Sequence, residues 1–174
     1  MEYTFTLKFK LPDHDTDIDA VVERLGEAGC DDALVGIGIA GRIALTFSRE
    51  AQSAEVALVS ALSDVKRAIP DAKLIEAAPD FVGLTDVADA IGVTRQNMRK
   101  LMLTHAASFP APVHEGSTAV WHLADVLAWL QSKGTYALDE PLVDIAKTTM
   151  QINLVKAATR IVPRMKREVS VLVD

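Results

Sequence analysis

The stretch Leu84-Thr-Asp-Val-Ala-Asp-Ala-Ile-Gly-Val-Thr-Arg-Gln-Asn-Met-Arg-Lys-Leu101 predicts two short helices joined by a tight turn. Thr85 is a candidate N-cap of the first helix, because a threonine hydroxyl can accept a hydrogen bond from a free backbone N–H group there. Gly92 is expected to end that helix, since glycine adopts positive φ without steric cost. The apolar face of the first helix consists of Val87, Ala88 and Ile91.

The second helix of this stretch has a donor-rich outer face. Thr94 is its candidate N-cap, and Met98, Leu101 and Met102 are expected to face inward at helical spacing. The side chains left outside are Arg95, Gln96, Asn97, Arg99 and Lys100. Such side chains bond base edges and phosphates when a helix lies in the major groove of DNA. The pattern therefore predicts a DNA-reading helix, and an ordinary helical hairpin is the alternative.

The residues that follow predict a short hairpin and a third helix. Phe109-Pro-Ala-Pro112 is expected to be extended, because proline fixes φ and biases its predecessor away from helix. Residues 113–121 predict two short strands around a Glu-Gly-Ser-Thr turn. Residues 123–130 predict an amphipathic helix that ends near Lys133-Gly134.

This succession of parts resembles the AlpA-like and excisionase-type regulators, a subgroup of the MerR-like winged helix-turn-helix proteins. The resemblance covers residues 82–132 and implies binding to double-stranded DNA. Residues 94–100 would be the reading helix, and residues 114–119 would be a wing on the DNA backbone or minor groove. The wing departs from the family pattern, because it lacks the Arg or Lys that relatives often carry. The implied DNA-binding residues are Thr85, Thr94, Arg95, Gln96, Asn97, Arg99, Lys100, His114, Ser117 and Thr118.

Composition limits the class of protein. The chain has 174 residues and is 49% hydrophobic, enough for a packed core in one large or two small domains. No apolar run approaches the roughly 20 residues of a membrane-spanning helix. The first residues lack the basic start and apolar core of a signal peptide. We therefore expect a cytoplasmic protein without a membrane partner.

The net charge of −6 is unevenly distributed along the chain. Residues 1–79 carry 8 basic and 14 acidic side chains, residues 80–134 carry 4 and 5, and residues 135–174 carry 6 and 5. Three of the four cations in the middle segment lie on the predicted reading helix. Local charge governs phosphate affinity more than the total does. Because the middle segment is near neutral, we expect a dimer to bind DNA better than a monomer.

Residues 1–79 predict a domain of their own. Apolar residues alternate with Thr and Lys along residues 3–11, as in a half-buried strand. The remaining elements complete the order β-α-β-β-α-β, which is the ferredoxin-like arrangement. They are helices at 18–28 and 54–69, strands at 33–38 and 42–47, and a last strand at 72–77. We therefore expect an α+β protein whose N-terminal domain binds a small-molecule effector or a protein partner.

Several motif-like patterns predict neither a cofactor nor a metal. Residues 36–41 match G-x-G-x-x-G but precede a strand, whereas the dinucleotide motif must open a helix. The alternating aspartates of residues 13–19 lack the Gly and Glu that a calcium loop needs, since those positions hold Ile18 and Arg24. The single cysteine, Cys30, excludes a disulfide and a cysteine-built zinc site, and no cation beside it would lower its pKa. The four histidines are scattered along the sequence, and no arrangement typical of a catalytic site stands out. We therefore expect no enzyme activity.

Residues 135–174 predict a dimerisation helix and a tail. Asp139-Glu-Pro141 is a typical helix start, and Pro163 should end or kink the helix. Residues 169–173 alternate in valine like a short strand. Small residues would permit close helix approach, and Asn153 would set the register of the pair. Packing on the helix's own chain is the alternative. The predicted dimerisation residues are Leu142, Ala146, Met150, Asn153, Leu154, Ala157 and Ile161.

These patterns together predict three segments and one leading function. The segments are a ferredoxin-like domain (1–79), a winged helix-turn-helix domain (80–134) and a C-terminal dimerisation helix and tail (135–174). The predicted function is a homodimeric, sequence-specific regulator of transcription that binds double-stranded DNA. One alternative is an antitoxin or adaptor whose acidic N-terminal domain binds a partner protein. Another is an excisionase-like architectural protein that bends DNA.

Overall fold

The computed structural model describes residues 1–173 and has a mixed α+β fold. The described residues form two antiparallel sheets and seven helices. Two hydrophobic cores lie one after the other along the chain, and a late helix contacts both.

The larger sheet is built from the first 78 residues. Its strands are β1 (Glu2–Lys10), β2 (Ala33–Gly36), β3 (Arg42–Glu50) and β4 (Lys73–Ala78). The strand order is β2-β3-β1-β4, and every neighbouring pair is antiparallel. Helices α1 (Ile18–Glu27) and α2 (Ala54–Ala68) connect β1 to β2 and β3 to β4. The element order β-α-β-β-α-β is therefore the one that the sequence predicts.

The alternation along β1 separates a buried face of this sheet from a polar one. Tyr3, Phe5 and Leu7 are at most 2% exposed, and the Phe5 ring stacks on Phe47 at 5.2 Å. The opposite face carries polar and charged side chains, with the Thr6 and Thr46 hydroxyls 3.0 Å apart and Lys8 paired with Glu76. The core is thus confined to one side of the sheet, where the helices pack.

The second half of the chain builds a smaller unit. It contains β5 (Phe81–Val82), α3 (Leu84–Ala90), α4 (Arg95–Thr104), β6 (Trp121–His122) and α5 (Leu123–Lys133). Strands β5 and β6 pair antiparallel, with Phe81 opposite His122 and Val82 opposite Trp121. Val87, Met98 and Leu127 are at most 1% exposed in the core between these helices.

The two units are joined by α6 (Glu140–Ala158), which is followed by the short helix α7 (Pro163–Val169). Ile145 of α6 is buried in the first core, whereas Val143 and Ala146 are buried in the second. Farther along, Asn153 hydrogen-bonds both the N–H and the C=O group of Ala77 in β4. Helix α6 thereby covers the β4 edge of the sheet, whose backbone groups would otherwise remain unpaired.

Four local predictions are wrong in detail. Pro163 opens α7 at a position where its missing N–H group costs nothing, and the valine tail of residues 169–173 forms no strand. The N-cap of α3 is Gly83, so Thr85 lies inside the helix. The predicted hairpin of residues 113–121 has one bridge, His114 to Val120, ahead of β6.

Candidate nucleic-acid interface

A tight turn joins α3 to α4. The Gly83 N–H group donates to the Asp86 carboxylate at 2.7 Å, which fixes the start of α3. Gly92 has φ +71°, as predicted, and the Val93 N–H group donates to the Ala88 carbonyl at 2.9 Å. Thr94 then caps α4, because its hydroxyl accepts from the Asn97 N–H group at 3.1 Å. The turn therefore fixes where the first turn of α4 begins.

The outer face of α4 is fully available to a partner. Its five polar side chains are all exposed, and none takes part in a side-chain hydrogen bond or an ion pair within residues 1–173. They are Arg95, Gln96, Asn97, Arg99 and Lys100. By contrast, most carboxylate-paired cations of the chain lie in the first 78 residues, as with Arg49, which bonds Asp32 and Asp64. The three cations of α4 can thus bind anions without first breaking an ion pair.

The inner face of α4 and the segment after it anchor the helix. Met98 is 1% exposed, and Leu101 and Met102 pack partly buried against the same core. Beyond α4, the Phe109 ring lies edge-on to Trp121 and Trp129, at 6.0 and 5.0 Å. Such an aromatic cluster fixes the end of α4 against α5 and the base of the hairpin.

The hairpin before β6 is short and projects into solvent. The backbone groups of His114 and Val120 exchange hydrogen bonds at 3.3 and 2.9 Å, and the loop between them is exposed except for Ala119. The side chains of Ser117 and Thr118 are therefore free to contact a partner. Glu115 is the one charged residue of residues 115–119, so this loop offers a backbone phosphate little attraction.

A buried polar network behind this surface was missed by the sequence analysis. The Asp80 side chain is fully buried and accepts from Asn153 at 2.7 Å, and its other oxygen lies 2.6 Å from His122 Nδ1. The Asp80 carbonyl accepts from the Leu123 N–H group at 2.7 Å. The network ties β4, the base of the hairpin and α6 together. No periodic pattern marks Asp80, which reads as a turn residue between Pro79 and Phe81.

The predicted dimerisation residues fall into two groups. Ala146 and Asn153 are buried by their own chain, and Leu142 and Met150 pack partly buried against the second core. The amide of Asn153 is used by Ala77 and Asp80, so Asn153 has no free group with which to set the register of a helix pair. The exposed residues are Leu154, Ala157 and Ile161. Pairing of two chains through α6 stays a prediction, restricted to that exposed end.

Other chemistry-bearing residues are scattered. Cys30 is 4% exposed, and burial together with the nearby Asp64 carboxylate raises the pKa of its thiol to about 11. Within residues 1–173, no three His, Cys, Asp or Glu side chains lie close enough together to hold a metal ion. Over the same residues, no helix has both the length and the apolar character required to cross a membrane.

Comparison of the chain with protein-family models, with curated proteins and with solved structures finds no match.

Proposed function

We propose that the chain is a sequence-specific regulator of transcription that binds double-stranded DNA as a homodimer and places α4 in the major groove. The observation that carries the proposal is the outer face of α4, with three cations and two amides that are exposed and unpaired within the described chain. An α-helix with its side chains is about 10–12 Å in diameter, so α4 fits the major groove, which is about 12 Å wide. The N-terminal turns of such a helix can therefore reach base edges.

Specific residues are assigned to each kind of contact. Arg95, Gln96, Asn97 and Arg99 would contact base edges, because Arg suits guanine and Gln or Asn suits adenine. Thr94 and Lys100 would contact phosphates, which position the helix but carry no sequence information. His114, Ser117 and Thr118 would touch the DNA backbone from the hairpin. Thr85, near the start of α3, would lie beside the adjacent phosphates.

The arrangement of elements supports two finer statements about fold. The β2-β3-β1-β4 order, with two helices on one face, supports a ferredoxin-like N-terminal domain. The tight α3–α4 turn, with a hairpin leading into β6 and α5, supports a winged helix-turn-helix of the AlpA-like or excisionase type. Both fold assignments are part of this proposal.

The first experiment selects a preferred duplex from a random library and measures its affinity for variants of α4. Loss of one bidentate base contact costs about 1–3 kcal/mol, so Arg95→Ala or Arg99→Ala should weaken binding roughly ten- to a hundredfold. Lys100→Ala should lower the affinity for all duplexes equally and reduce the dependence of that affinity on salt concentration. The fold should persist, because all three side chains are exposed.

A charge-matched control separates base reading from loss of charge. Arg42 and Lys73 are exposed in the larger sheet and form no ion pair with any of residues 1–173. The variant Arg42→Ala/Lys73→Ala removes the same charge as Arg95→Ala/Arg99→Ala and should keep the preference for the selected duplex. If the α4 double variant binds that duplex as tightly as the control does, α4 is not the reading helix.

An interaction module is a second candidate function. A cleft of about 880 Å³ lies beside the β2–β3 loop and is lined by Ile18, Ile37 and Ile39 together with Asp13 and Asp15. Ile37 and Ile39 are more than half exposed, which suits an apolar surface of a ligand or protein. The excess of acidic side chains in residues 1–79, 14 against 8 basic, would attract a basic protein to this domain. A stoichiometric basic protein that copurifies with the chain and is lost in Ile37→Asp/Ile39→Asp would favour this function.

A further inference from the structure

The residues after α6 form an arm, residues 159–173, that its own chain does not bury. No side chain of α7 is buried. Residues 1–173 contain 18 exposed large apolar side chains, and six of these lie in residues 161–173. Ile161, Met165 and Val169 are spaced four residues apart and line one shallow apolar hollow. The arm therefore has an apolar stripe of the kind that helices use for packing.

A groove on the body of the molecule has matching character. It lies between α2 and α6, has a volume of about 490 Å³, and includes Val59, Leu62, Ile152 and Val155 in its lining. Val59 and Val155 are 52% and 66% exposed. An amphipathic helix can lay its apolar face in a groove of this kind.

Charge favours a second copy of the chain as the source of the helix. Residues 159–173 carry four basic side chains and one acidic side chain, whereas residues 1–158 carry 14 basic and 22 acidic side chains. The groove itself has Glu55 on its α2 wall and Lys147 on its α6 wall. These can pair with the arginines of the arm and with Glu168. A basic arm is thus attracted to the acidic body of another copy.

The arm does not occupy the groove of its own chain. Only residues 159–162 separate the two helices. Val162 precedes Pro163, which disfavours helical backbone, and it is extended with φ −74° and ψ 126°. No residue of 159–173 lines the groove between α2 and α6, and no α7 side chain is buried, so the arm does not fill the groove of its own chain.

We propose that α7 of one chain docks in the α2–α6 groove of a second copy, and that the exchange is reciprocal. Such an isologous pair is closed by two-fold symmetry, so the apolar stripe and the groove are covered on both chains. This inference rests on the homodimer of the proposed function and names its interface.

The test uses two single-cysteine substitutions in the full chain, Met165→Cys in the arm and Val59→Cys in the groove. Chains of the two variants, one carrying a size tag, are mixed and treated with a bismaleimide. We expect a covalent product that joins one chain of each kind. The native Cys30 is buried and should not react. Leu34→Cys is the matched control, because Leu34 is 76% exposed on β2, at the opposite edge of the sheet from α6.

Two outcomes would overturn the proposal. Cross-linking no stronger than with Leu34→Cys would show that the arm does not reach the groove. A Val59→Cys/Met165→Cys double variant that links only within one chain would show docking on its own body instead. Light scattering gives a second readout. Met165→Glu should convert the dimer to a folded monomer, whereas the control Val22→Glu, on α1, should remain a dimer. All these measurements are made without DNA. A negative result would therefore reject this dimer interface but not DNA binding by α4, which the duplex experiment tests separately.

Discussion

At the scale of single residues, the α3–α4 turn depends on one backbone conformation. Gly92 has φ +71°, and a Cβ atom at this position would meet no residue of the described range 1–173 within 4 Å, apart from its two neighbours in the chain. Left-handed backbone costs a residue with a side chain roughly 1–2 kcal/mol. Gly92→Ala should therefore lower the free energy of unfolding by about 1 kcal/mol through backbone strain alone, and Gly92→Asn should lower it less.

Chemical denaturation measures this effect, and Gly26 supplies the control. Gly26 lies in α1 with ordinary φ and with equal space for a Cβ atom. Gly26→Ala should be neutral or stabilising, because alanine favours helix by about 1 kcal/mol over glycine. Equal stability losses in the two variants would refute strain as the cause.

A second prediction at this scale concerns Cys30 and pH. The thiol has its pKa raised from an ordinary 9.0 to about 11 in the folded chain. Its contribution to stability is therefore complete below pH 9, where both folded and unfolded chains hold the proton, and is lost as pH rises toward 11. The loss should be at most about 2–3 kcal/mol. Unfolding of wild type and Cys30→Ala between pH 8 and 11 should show the steeper decline in wild type, and parallel curves would contradict it.

Sequence patterns identify individual residues well where one local rule decides the position. Gly92 and Thr94 are found as predicted because a positive-φ glycine and a capping hydroxyl are local requirements. The prediction of Thr85 as the N-cap is wrong, because α3 starts at Leu84, directly after Gly83. The start is set by β5, which pairs with a strand about 40 residues later in the sequence. Asp80 was missed for the same reason, since its partners His122 and Asn153 are remote in sequence.

At the scale of elements, Asn153 connects α6 to the edge strand β4 through hydrogen bonds. Its amide satisfies the N–H and C=O groups of Ala77 and one oxygen of Asp80. Asn153→Ala would leave three buried polar groups without this partner, at about 1–3 kcal/mol for each group that water does not reach. The free energy of unfolding should fall by at least about 2 kcal/mol.

The control is Gln151→Ala, on the same helix. Gln151 is exposed, so its removal should change stability by no more than about 0.5 kcal/mol. A thermal or denaturant melt compares the two variants directly. If Asn153→Ala melts like Gln151→Ala, water replaces the amide and α6 does not hold the edge through this residue.

Helix α6 also shows where sequence reading stops at this scale. A stripe of apolar residues indicates that a helix has a buried face, but it does not say which body buries it. Residues 142–153 do have a buried face, but it packs on their own chain, which was the alternative to a dimer contact. Ile145 and Ala146 lie in different cores. The strands and helices of residues 1–78 are easier to predict from the sequence. Period-two alternation and breaks at proline or glycine are local signals.

At the scale of the whole molecule, α6 and the arm should differ sharply in their importance for folding. A chain that ends at Ala158 lacks residues 159–173, of which none is buried by its own chain and only Val169 is partly buried. Its own cores stay intact, so it should still melt cooperatively, at a temperature lower than that of the full chain only by the stabilisation that the docked α7 gives the proposed dimer. A chain that ends at Thr135 also loses Val143, Ile145 and Ala146, so both cores open and it should not melt cooperatively.

Circular dichroism and calorimetry of the two truncated chains make this comparison. A cooperative transition in the shorter chain, at the same temperature as in the longer one, would show that the two units fold without α6.

The position of α6 in the sequence has a consequence for folding during synthesis. The β4 edge is complete by residue 78, yet the helix that covers it ends at residue 158. Ribosomes add roughly 5–20 residues per second, so the edge emerges about 4–16 s before its cover. During that interval nascent chains on neighbouring ribosomes carry the same uncovered strand. We expect a cotranslational chaperone requirement that concentrates on residues 73–78 and ends when α6 is released.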